Sequence, residues 1–427
     1  MKVHDRKDDA QRRIIAAAQA EMIEHGYADA NVDRIAARAN TSKQTIYLWF
    51  PAKERLLVAA VKAGLAVASE RGVPSLVALA PLDALKRLAK WAQQRSLDPV
   101  NQGLYRVNIA AANLVPELAD EAHVLRRRAA SPMQAYIETL SVQGARNVGD
   151  PIAAAGRFGV LAIAGIDDLV RSLPADGCAL DARSDSVARL FLYGWRKEGE
   201  MVSPGAEALR AAGELALFRS YDPPASDPPS SGARSRLASE RIELLLDTAA
   251  RAFLEKGFRH AAVDAISAAT GISKMTIYRQ FGDKETLFER AITSFAGRIA
   301  RERRPLPLAG ETRDALMAAA MALDVRHARQ DVVRLLRLAV TEAQRWPVLA
   351  HAILDMLRSD DLREIADFLA ARHVSGELRI DDPLLAASHF RLLAIRGNMR
   401  LTGTSGDAMA EEDHAREVVS LVMDGVW

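Results

Sequence analysis

The sequence contains a long internal repeat. Residues 42–57, SKQTIYLWFPAKERLL, return as residues 273–288, SKMTIYRQFGDKETLF, with every position displaced by 231. The same displacement relates further pairs outside this segment. Those pairs are Gly26-Tyr27 with Gly257-Phe258, Val32-Asp33 with Val263-Asp264, and Pro116 with Pro347. Because the repeat extends well beyond one short motif, we expect two copies of one folded unit.

Length and composition agree with two helical units. A chain of 427 residues is too long for one ordinary core, whereas two units of about 200 residues fall within the usual domain range. Apolar residues make up 49% of the chain, which is enough for two cores, while aromatic residues make up only 5%. Few stretches alternate apolar and polar residues with the period of a strand. We therefore expect an all-α fold.

Each copy begins with the signals of three consecutive helices. The first helix is apolar and is followed by a Gly that accepts positive φ. The second helix ends in a tight turn, and the third helix begins after a Ser N-cap. These residues are Gly26, Asn40 and Ser42 in the first copy and Gly257, Gly271 and Ser273 in the second. Asn31 can also cap the second helix of the first copy, whereas its counterpart Ala262 cannot. Helix, tight turn and short capped helix predict a helix-turn-helix in each copy.

The complete pattern resembles a known family. The residues that carry the resemblance are Gly-aromatic, Val-x-x-Ile, Ser-Lys-x-Thr-Ile-Tyr-x-x-Phe and Lys-Glu-x-Leu, and they are similar to the tetracycline-repressor (TetR) family. GISKMTIYRQFGDKETLF of the second copy fits better than the first copy, which departs at Asn40-Thr41 and Leu48-Trp49. The resemblance implies a DNA-binding transcription regulator, usually a repressor, in which a helical domain senses a small molecule and dimerises.

This resemblance divides the chain into five predicted segments. They are a first helix-turn-helix domain at 1–62, a first helical regulatory domain at 63–200, an extra helix with a Pro/Ser-rich linker at 201–235, a second helix-turn-helix domain at 236–293, and a second regulatory domain at 294–427. The linker contains DPPASDPPSSGA at 222–233, whose composition favours an extended, semi-rigid segment. We call residues 26–57 the first reader and residues 257–288 the second reader.

Two sets of side chains are predicted to contact double-stranded DNA. Outward residues of a recognition helix contact base edges, and they are expected to be Lys43, Gln44, Leu48 and Trp49 in the first reader and Lys274, Met275, Arg279 and Gln280 in the second. Phosphate contacts, which the family resemblance also implies, are assigned to Thr45, Tyr47 and Lys53, with Thr276, Tyr278 and Lys284. Because the base-edge residues differ between the readers, the operator is expected to be asymmetric.

Local charge favours the first reader. The net charge of the chain is only +2, so attraction to phosphate has to be local. Between Arg34 and Lys62 the sequence has six basic residues and one acid, Glu54, whereas acids offset the basic residues of the second reader. We therefore expect stronger phosphate attraction by the first reader.

Polar residues of the regulatory segments are candidates for a ligand cavity. They are Arg106, Asn108, Asn113 and His123 in the first copy and Arg337, Glu342, Gln344, Trp346 and His351 in the second. The alternative is that they form solvated faces or helix-packing contacts, as is expected for Arg126-Arg127-Arg128. An apolar lining is predicted from Leu85, Leu88, Leu104, Ile109, Leu323, Leu335, Leu338 and Ile353. Such a lining favours a largely hydrophobic effector, and two unequal cavities could bind different molecules.

The last helical segments of each copy are expected to form an intrachain pseudo-dimer. In the resembled family these helices make a four-helix interface, and here they are 151–172 with 183–196, and 383–401 with 411–426. The alternative is that the whole chain is half of a larger homodimer. Two separate helices are predicted nearby at 347–358 and 361–373.

Other classes of protein find little support in the sequence. We find no phosphate-binding loop, nucleophile elbow or metal-protease motif, and the single Cys178 excludes a disulfide framework, so we expect no enzyme, metal or cofactor. No signal peptide or membrane span is evident, which predicts a cytoplasmic protein. The alternative to a regulator is a protein-interaction or antirepressor protein in which one reader has decayed.

Overall fold

The structure, a computed structural model, describes residues 2–70, 72–112, 115–144, 148–170, 177–195, 233–403 and 410–426. Every regular element among these residues is a helix. The expected all-α fold is therefore confirmed. The predicted extra helix and all but the last three residues of the 201–235 segment lie outside the described residues, as does Asn113.

The helices follow the same order in both copies. The first copy contains α1 (Lys2–Asp29), α2 (Val32–Arg38), α3 (Lys43–Trp49), α4 (Lys53–Glu70), α5 (Pro81–Ser96), α6 (Pro99–Ala111), α7 (Pro116–Ala129), α8 (Ser131–Val142), α9 (Pro151–Ile163), α10 (Ile166–Val170) and α11 (Gly177–Tyr193). The second contains α12 (Ala233–His260), α13 (Val263–Thr270), α14 (Lys274–Phe281), α15 (Lys284–Arg301), α16 (Thr312–Ala328), α17 (Gln330–Glu342), α18 (Pro347–Val374), α19 (Pro383–Ala394), α20 (Gly397–Thr402) and α21 (Glu411–Asp424). Within the described residues no helix is both long and apolar enough to cross a membrane.

The predicted helix ends of the readers are observed. Gly26 and Gly257 interrupt α1 and α12 with φ of 76° and 74°. The turns after α2 and α13 contain Asn40 and Gly271, both at positive φ. Asn31 caps α2 by accepting from the backbone N–H of Asp33 at 2.7 Å, whereas α13 has no side-chain cap.

Four predicted segments have different boundaries in the structure, and one of them, 383–401, forms the two helices α19 and α20. The segments 347–358 and 361–373 form one 28-residue helix, α18, where the first copy has α7 and α8. Pro132 lies in the first turn of α8, where its missing N–H is tolerated, and its counterpart Arg363 allows α18 to continue. The predicted helix 151–172 instead breaks at Ala164 and Gly165, both at positive φ.

Each reader is held by its own core. In the first reader, Ile35 and Ile46 are fully buried with Ile14 of α1 and Leu57 of α4. The second reader has an aromatic cluster instead. Its ring-centroid distances are 5.1 Å for Phe253–Phe288, 4.7 Å for Phe258–Trp346 and 4.6 Å for Phe288–Trp346.

The regulatory parts of both copies share one hydrophobic core. Phe158 of α9 and Phe191 of α11 are buried together with Phe390 of α19 and Val422 of α21. The ring centroids of Trp195 and Phe390 lie 6.5 Å apart across this contact. The segments predicted to form the four-helix interface thus pack on each other within the chain.

The ends of this interface are paired through the backbone. The N–H of Trp195 donates to the carbonyl of Val422 at 2.8 Å, and the N–H of Val426 donates to the carbonyl of Phe191 at 2.9 Å. A displacement of 231 converts one bond into the other. Such reciprocal contacts are the signature of a twofold interface.

Candidate nucleic-acid interface and interior cavity

The recognition helix of the first reader, α3, is fixed at its start and along its inner face. Ser42 accepts a hydrogen bond from the backbone N–H of Thr45 at 3.0 Å, which satisfies one of the free donors at the helix end. Ile46 and Phe50 are buried against the reader core. The opposite face of α3 is consequently turned toward solvent.

The outward face of α3 is mostly uncharged. Gln44, Tyr47 and Leu48 are exposed, and Leu48 has 81% of its surface accessible. Lys43 is exposed too, but its Nζ donates to Oδ2 of Asp33 at 2.9 Å. Trp49 is only half-buried and packs against the reader core, so its indole is less available to a base edge than expected.

The recognition helix of the second reader, α14, has the same N-cap and ion pair as α3 but different outward side chains. Ser273 accepts from the N–H of Thr276 at 3.2 Å, and Nζ of Lys274 donates to Oδ2 of Asp264 at 3.0 Å. Met275, Arg279 and Gln280 are exposed. Within the described residues Arg279 has no ion-pair partner, which leaves its guanidinium available for a guanine or a phosphate.

The predicted phosphate ligands Lys53 and Lys284 occupy equivalent environments. The Nζ of Lys53 lies 4.8 Å from the ring centroid of Tyr27, and that of Lys284 lies 4.8 Å from the ring centroid of Phe258. Burial lowers the pKa of both lysines. Tyr27 in turn donates to Glu54 Oε1 at 3.2 Å. The aromatic ring holds each ammonium beside the recognition helix, where a phosphate could accept from it.

Charge pairing weakens the expected advantage of the first reader. Arg34 binds the buried Glu21, with 2.7 Å between Nε and Oε1, and Arg38 binds Glu24 at 2.8 Å. These acids lie in α1, outside the stretch in which charges were counted from the sequence. Together with the Lys43–Asp33 pair, they neutralise three of its six basic residues within the reader.

A cavity of about 580 Å³ lies between the two copies. Its walls come from α4 to α10 of the first copy and from α16 to α21 of the second. Much of the surface is apolar, with Trp91, Met133, Leu354 and Leu357 among the lining residues. The volume is in the range of small-molecule sites.

The charged groups of the cavity are strongly unbalanced. Among the described residues, seven arginines line it against two carboxylates, Asp167 and Glu417. Both carboxylates already have arginine partners, since Arg358 Nη1 lies 2.6 Å from Asp167 Oδ1 and Arg157 pairs with Glu417. Arg396 binds the buried Asp324, which is not a lining residue, with 2.5 Å between Nη2 and Oδ2. Arg126 and Arg391 have no carboxylate partner among the described residues.

Arg391 is buried, with 8% of its surface accessible, and among the lining arginines only Arg358 is less exposed, at 4%. Nη2 of Arg391 donates to Nε2 of His327 at 3.0 Å, while Nδ1 of His327 donates to the Leu323 carbonyl at 2.9 Å. Burial lowers the pKa of His327 to about 3, so this imidazole is neutral. Nε of Arg391 has no hydrogen-bond partner among the described residues. Arg391 is thus a buried cation whose direct partner carries no charge.

Comparisons with known proteins identify both readers. The family described as bacterial regulatory proteins, tetR family, matches residues 14–60 and 245–291, and the AefR-like transcriptional repressor C-terminal domain matches residues 314–423. The HTH-type transcriptional repressor Rv1474c of Mycobacterium tuberculosis is 30% identical over 166 residues, covering 34% of this chain and 88% of that protein. The chain belongs to the TetR family. The two reader matches confirm the tandem duplication.

Two further relatives correspond to about one copy of this TetR-family chain. The HTH-type transcriptional repressor AcnR of Corynebacterium diphtheriae is 26% identical over 192 residues, covering 44% of this chain and 92% of that protein. The TetR-family regulator PfmR of Thermus thermophilus is a solved structure with 21% identity and a TM-score of 0.31, and the match covers 42% of this chain and 96% of that one. Members of the TetR family are non-enzymatic DNA-binding regulators. This chain is accordingly a DNA-binding transcription regulator.

The predicted ligand residues of this TetR-family chain do not gather at the cavity, with the exception of His123. Arg106 donates to the carbonyl of Leu169 at 2.6 Å, and its counterpart Arg337 donates to that of Leu401 at 2.9 Å. Both arginines therefore bind the ends of short helices. The other candidates do not line the cavity either: Trp346 joins the aromatic cluster, Glu342 is enclosed and its pKa is raised by burial, and Asn108, Gln344 and His351 lie elsewhere.

The predicted apolar lining also lies elsewhere. Leu85, Leu88 and Leu323 belong to the shared core, Ile109, Leu335, Leu338 and Ile353 to the core around the second reader, and Leu104 packs near Gly64.

Sequence reasoning missed the residues that distinguish the cavity. Arg126 was expected on a solvated face, yet its Nη1 is buried without a partner among the described residues and its guanidinium lies 5.5 Å from the ring centroid of Tyr105. Burial lowers the pKa of Arg126. A usable signal was the divergence between the copies. The displacement of 231 relates Tyr105, His123 and Arg126 of the first copy to Leu336, Leu354 and Leu357 of the second. All six residues line the cavity.

Proposed function

We propose that this chain is a repressor that binds one operator through both readers, as a pseudo-dimer formed within one polypeptide. The proposal takes the helix-turn-helix domains at 1–62 and 236–293 and the regulatory domains at 63–200 and 294–427. The observation that supports it most directly is the reciprocal backbone pairing of Trp195 with Val422 and of Val426 with Phe191. TetR regulators usually dimerise, and here the second copy is covalently attached to the first.

The two readers are also linked directly. Arg259 at the end of α12 binds Asp29 at the end of α1, with 2.9 Å between Nη1 and Oδ2. Helix-turn-helix dimers place their recognition helices in successive major grooves, about 34–36 Å apart. The proposal therefore requires the readers to adopt this spacing on DNA. The Arg259–Asp29 ion pair then either persists at that spacing or breaks.

The operator is proposed to have two unlike half-sites. Gln44 and Leu48 of the first recognition helix correspond in the repeat to Met275 and Arg279 of the second. Gln can bridge adenine and Arg can bind guanine in two places, whereas Leu and Met reach only a thymine methyl. An asymmetric operator also fixes which copy binds which half.

Release by a small molecule is proposed to act through α4. Leu65 of α4 lines the cavity, and Lys62 of the same helix binds Glu121 of α7 with 3.0 Å between Nζ and Oε2. Since α4 begins at Lys53 beside the recognition helix, a ligand that displaces it changes the position of the first reader. The ligand can shift this equilibrium only by its difference in affinity for the two arrangements.

The test starts from an operator selected from random DNA with the full chain. Binding is then compared for the wild type, Tyr47→Ala with Lys53→Ala, and the matched pair Tyr278→Ala with Lys284→Ala. Each pair should weaken binding to all sequences and reduce the salt slope by about one unit per lost phosphate contact. Sedimentation should find one chain per operator, and two chains per operator would contradict the pseudo-dimer.

One observation keeps a second function in view. The first reader exposes Leu48 where the second exposes Arg279, and its basic residues are largely paired with acids of the same copy. If only the Tyr278 and Lys284 substitutions weaken binding, the first reader has decayed. The chain is then better described as an interaction or antirepressor protein that retains a single reader.

A further inference from the structure

We propose that the cavity between the copies binds an amphipathic carboxylic acid, with Arg391 and Arg126 as its anion-binding groups. The inference rests on the proposed function only in assigning this molecule as the effector. The site itself follows from the charges, walls and composition of the cavity.

The first argument is charge. Asp167 and Glu417, the two carboxylates of the lining, are neutralised by Arg358 and Arg157. Arg391 donates to a neutral imidazole, and Nη1 of Arg126 has no partner among the described residues. A buried guanidinium that is not hydrogen-bonded to a carboxylate is unfavourable, and a bound anion would reduce this penalty. An organic cation would be repelled by the same groups.

The second argument is the remainder of the lining. Trp91 and Tyr105 supply aromatic surface, and Met133, Leu354 and Leu357 supply aliphatic surface. Apolar walls of this kind bury the body of a ligand, while few polar groups fix its orientation. A planar carboxylate matches the fork of donors on a guanidinium, and its single charge leaves the rest of the molecule free to be apolar.

The third argument is that neither copy holds the site alone. Arg126 comes from α7 of the first copy, and its counterpart in the second is Leu357. Arg391 comes from α19 of the second copy, directly after Phe390. In this part of the repeat the displacement is 232, as in Pro151 with Pro383 and Phe158 with Phe390, so that Gly159 takes the place of Arg391 in the first copy. The two cationic groups therefore line one cavity only in the fused chain, and we expect one ligand per chain.

Calorimetric titration of the full chain with matched probes tests the site. The probes are 2-naphthoate against 2-naphthamide and decanoate against decan-1-ol, which differ in charge but hardly in shape. The wild type should bind each carboxylate about tenfold or more tightly than its neutral partner, with one molecule per chain. Arg391→Met and Arg126→Met should each reduce this preference, and Arg391→Lys should retain part of it.

Leu357→Met is the matched control, because it alters the wall at the position equivalent to Arg126 without changing charge. It should change the affinities of carboxylate and neutral probe equally. Thermal unfolding of every variant shows whether the chain is folded. The inference is overturned if the wild type binds neither carboxylate, if it does not prefer them, or if the preference survives both arginine substitutions in folded protein.

Operator binding measured on the same samples separates this inference from the proposed function. Carboxylates that bind in the arginine-dependent manner without affecting DNA binding support the site and contradict its role in release. Release of DNA by the neutral probes alone supports an effector-controlled repressor and overturns the carboxylate site.

Discussion

Gly194 and Gly425 leave room for each other's backbone. A Cβ on Gly194 would lie 2.6 Å from the backbone N of Gly425, and a Cβ on Gly425 would lie 2.4 Å from the carbonyl oxygen of Leu192. The two glycines are related by the displacement of 231 and have φ of 61° and 64°. The repeat therefore places the same requirement for a small residue on both sides of the contact between the copies.

Gly194→Ala should separate or destabilise the two copies. Positive φ alone costs Ala about 1 kcal/mol, and the clash with fixed backbone atoms adds about 1–3 kcal/mol. Gly149→Ala is the matched control, since Gly149 also has a φ of 61° but nothing lies within 4 Å of its missing Cβ. Urea unfolding measures both variants. Equal losses of stability would show that the close approach at Gly194 does not matter.

The readers could be predicted from the sequence because their determinants are local. Ser42 and Ser273 each cap a helix that begins at the next residue, and Gly26 and Gly257 interrupt the helices before the readers. All these effects act over a few residues, so they are visible in one stretch of sequence.

The cavity could not be predicted in the same way, because its residues are far apart in the chain. Arg391 and His327 are separated by 64 positions, and Arg157 meets Glu417 across 260 positions. Glu21 was missed for the same reason, since its carboxylate lies in α1 and neutralises Arg34 in the next helix. Pattern reasoning places such groups on helices but does not determine which helices meet.

The outward side chains of the two recognition helices should determine which half-site each reader binds. Gln44→Met with Leu48→Arg gives the first reader two outward residues of the second, while Trp49 stays in place because it packs on the core. Selection from random DNA should then yield two more similar half-sites, with an arginine–guanine contact contributing about 1–3 kcal/mol of discrimination.

The reverse exchange, Met275→Gln with Arg279→Leu, provides the control for this prediction. It should alter only the half-site that the second reader binds, and the half-site bound by the unchanged first reader should be preserved. Half-sites that stay as different as in the wild type after the first exchange would show that these side chains do not contact bases.

Asn108→Leu should stabilise the protein. Asn108 is 1% exposed, and neither Oδ1 nor Nδ2 has a hydrogen-bond partner among the described residues. An isosteric apolar side chain removes this unsatisfied amide, with an expected gain of about 1–3 kcal/mol in the free energy of unfolding. Its counterpart is the buried Ala339, where Ala339→Asn should produce a loss of similar size. Destabilisation by Asn108→Leu would contradict the interpretation that this amide is unsatisfied in the folded chain.

His327 should make the folded protein sensitive to mild acid. Burial lowers its pKa to about 3 in the folded chain, whereas an unfolded histidine titrates near about 6.5. Below that value the unfolded chain takes up more protons, so the contribution is fully present above pH ~6.5 and is lost as pH falls toward ~3. At pH ~5 this one group should account for about 2 kcal/mol of lost stability.

His327→Gln keeps an acceptor for Arg391 but does not titrate, so it should reduce the difference in urea stability between pH 7.5 and pH 5. His389→Gln should do the same independently, because burial lowers the pKa of His389 to about 4. If the double variant loses as much stability on acidification as the wild type, neither imidazole is neutral in the folded core.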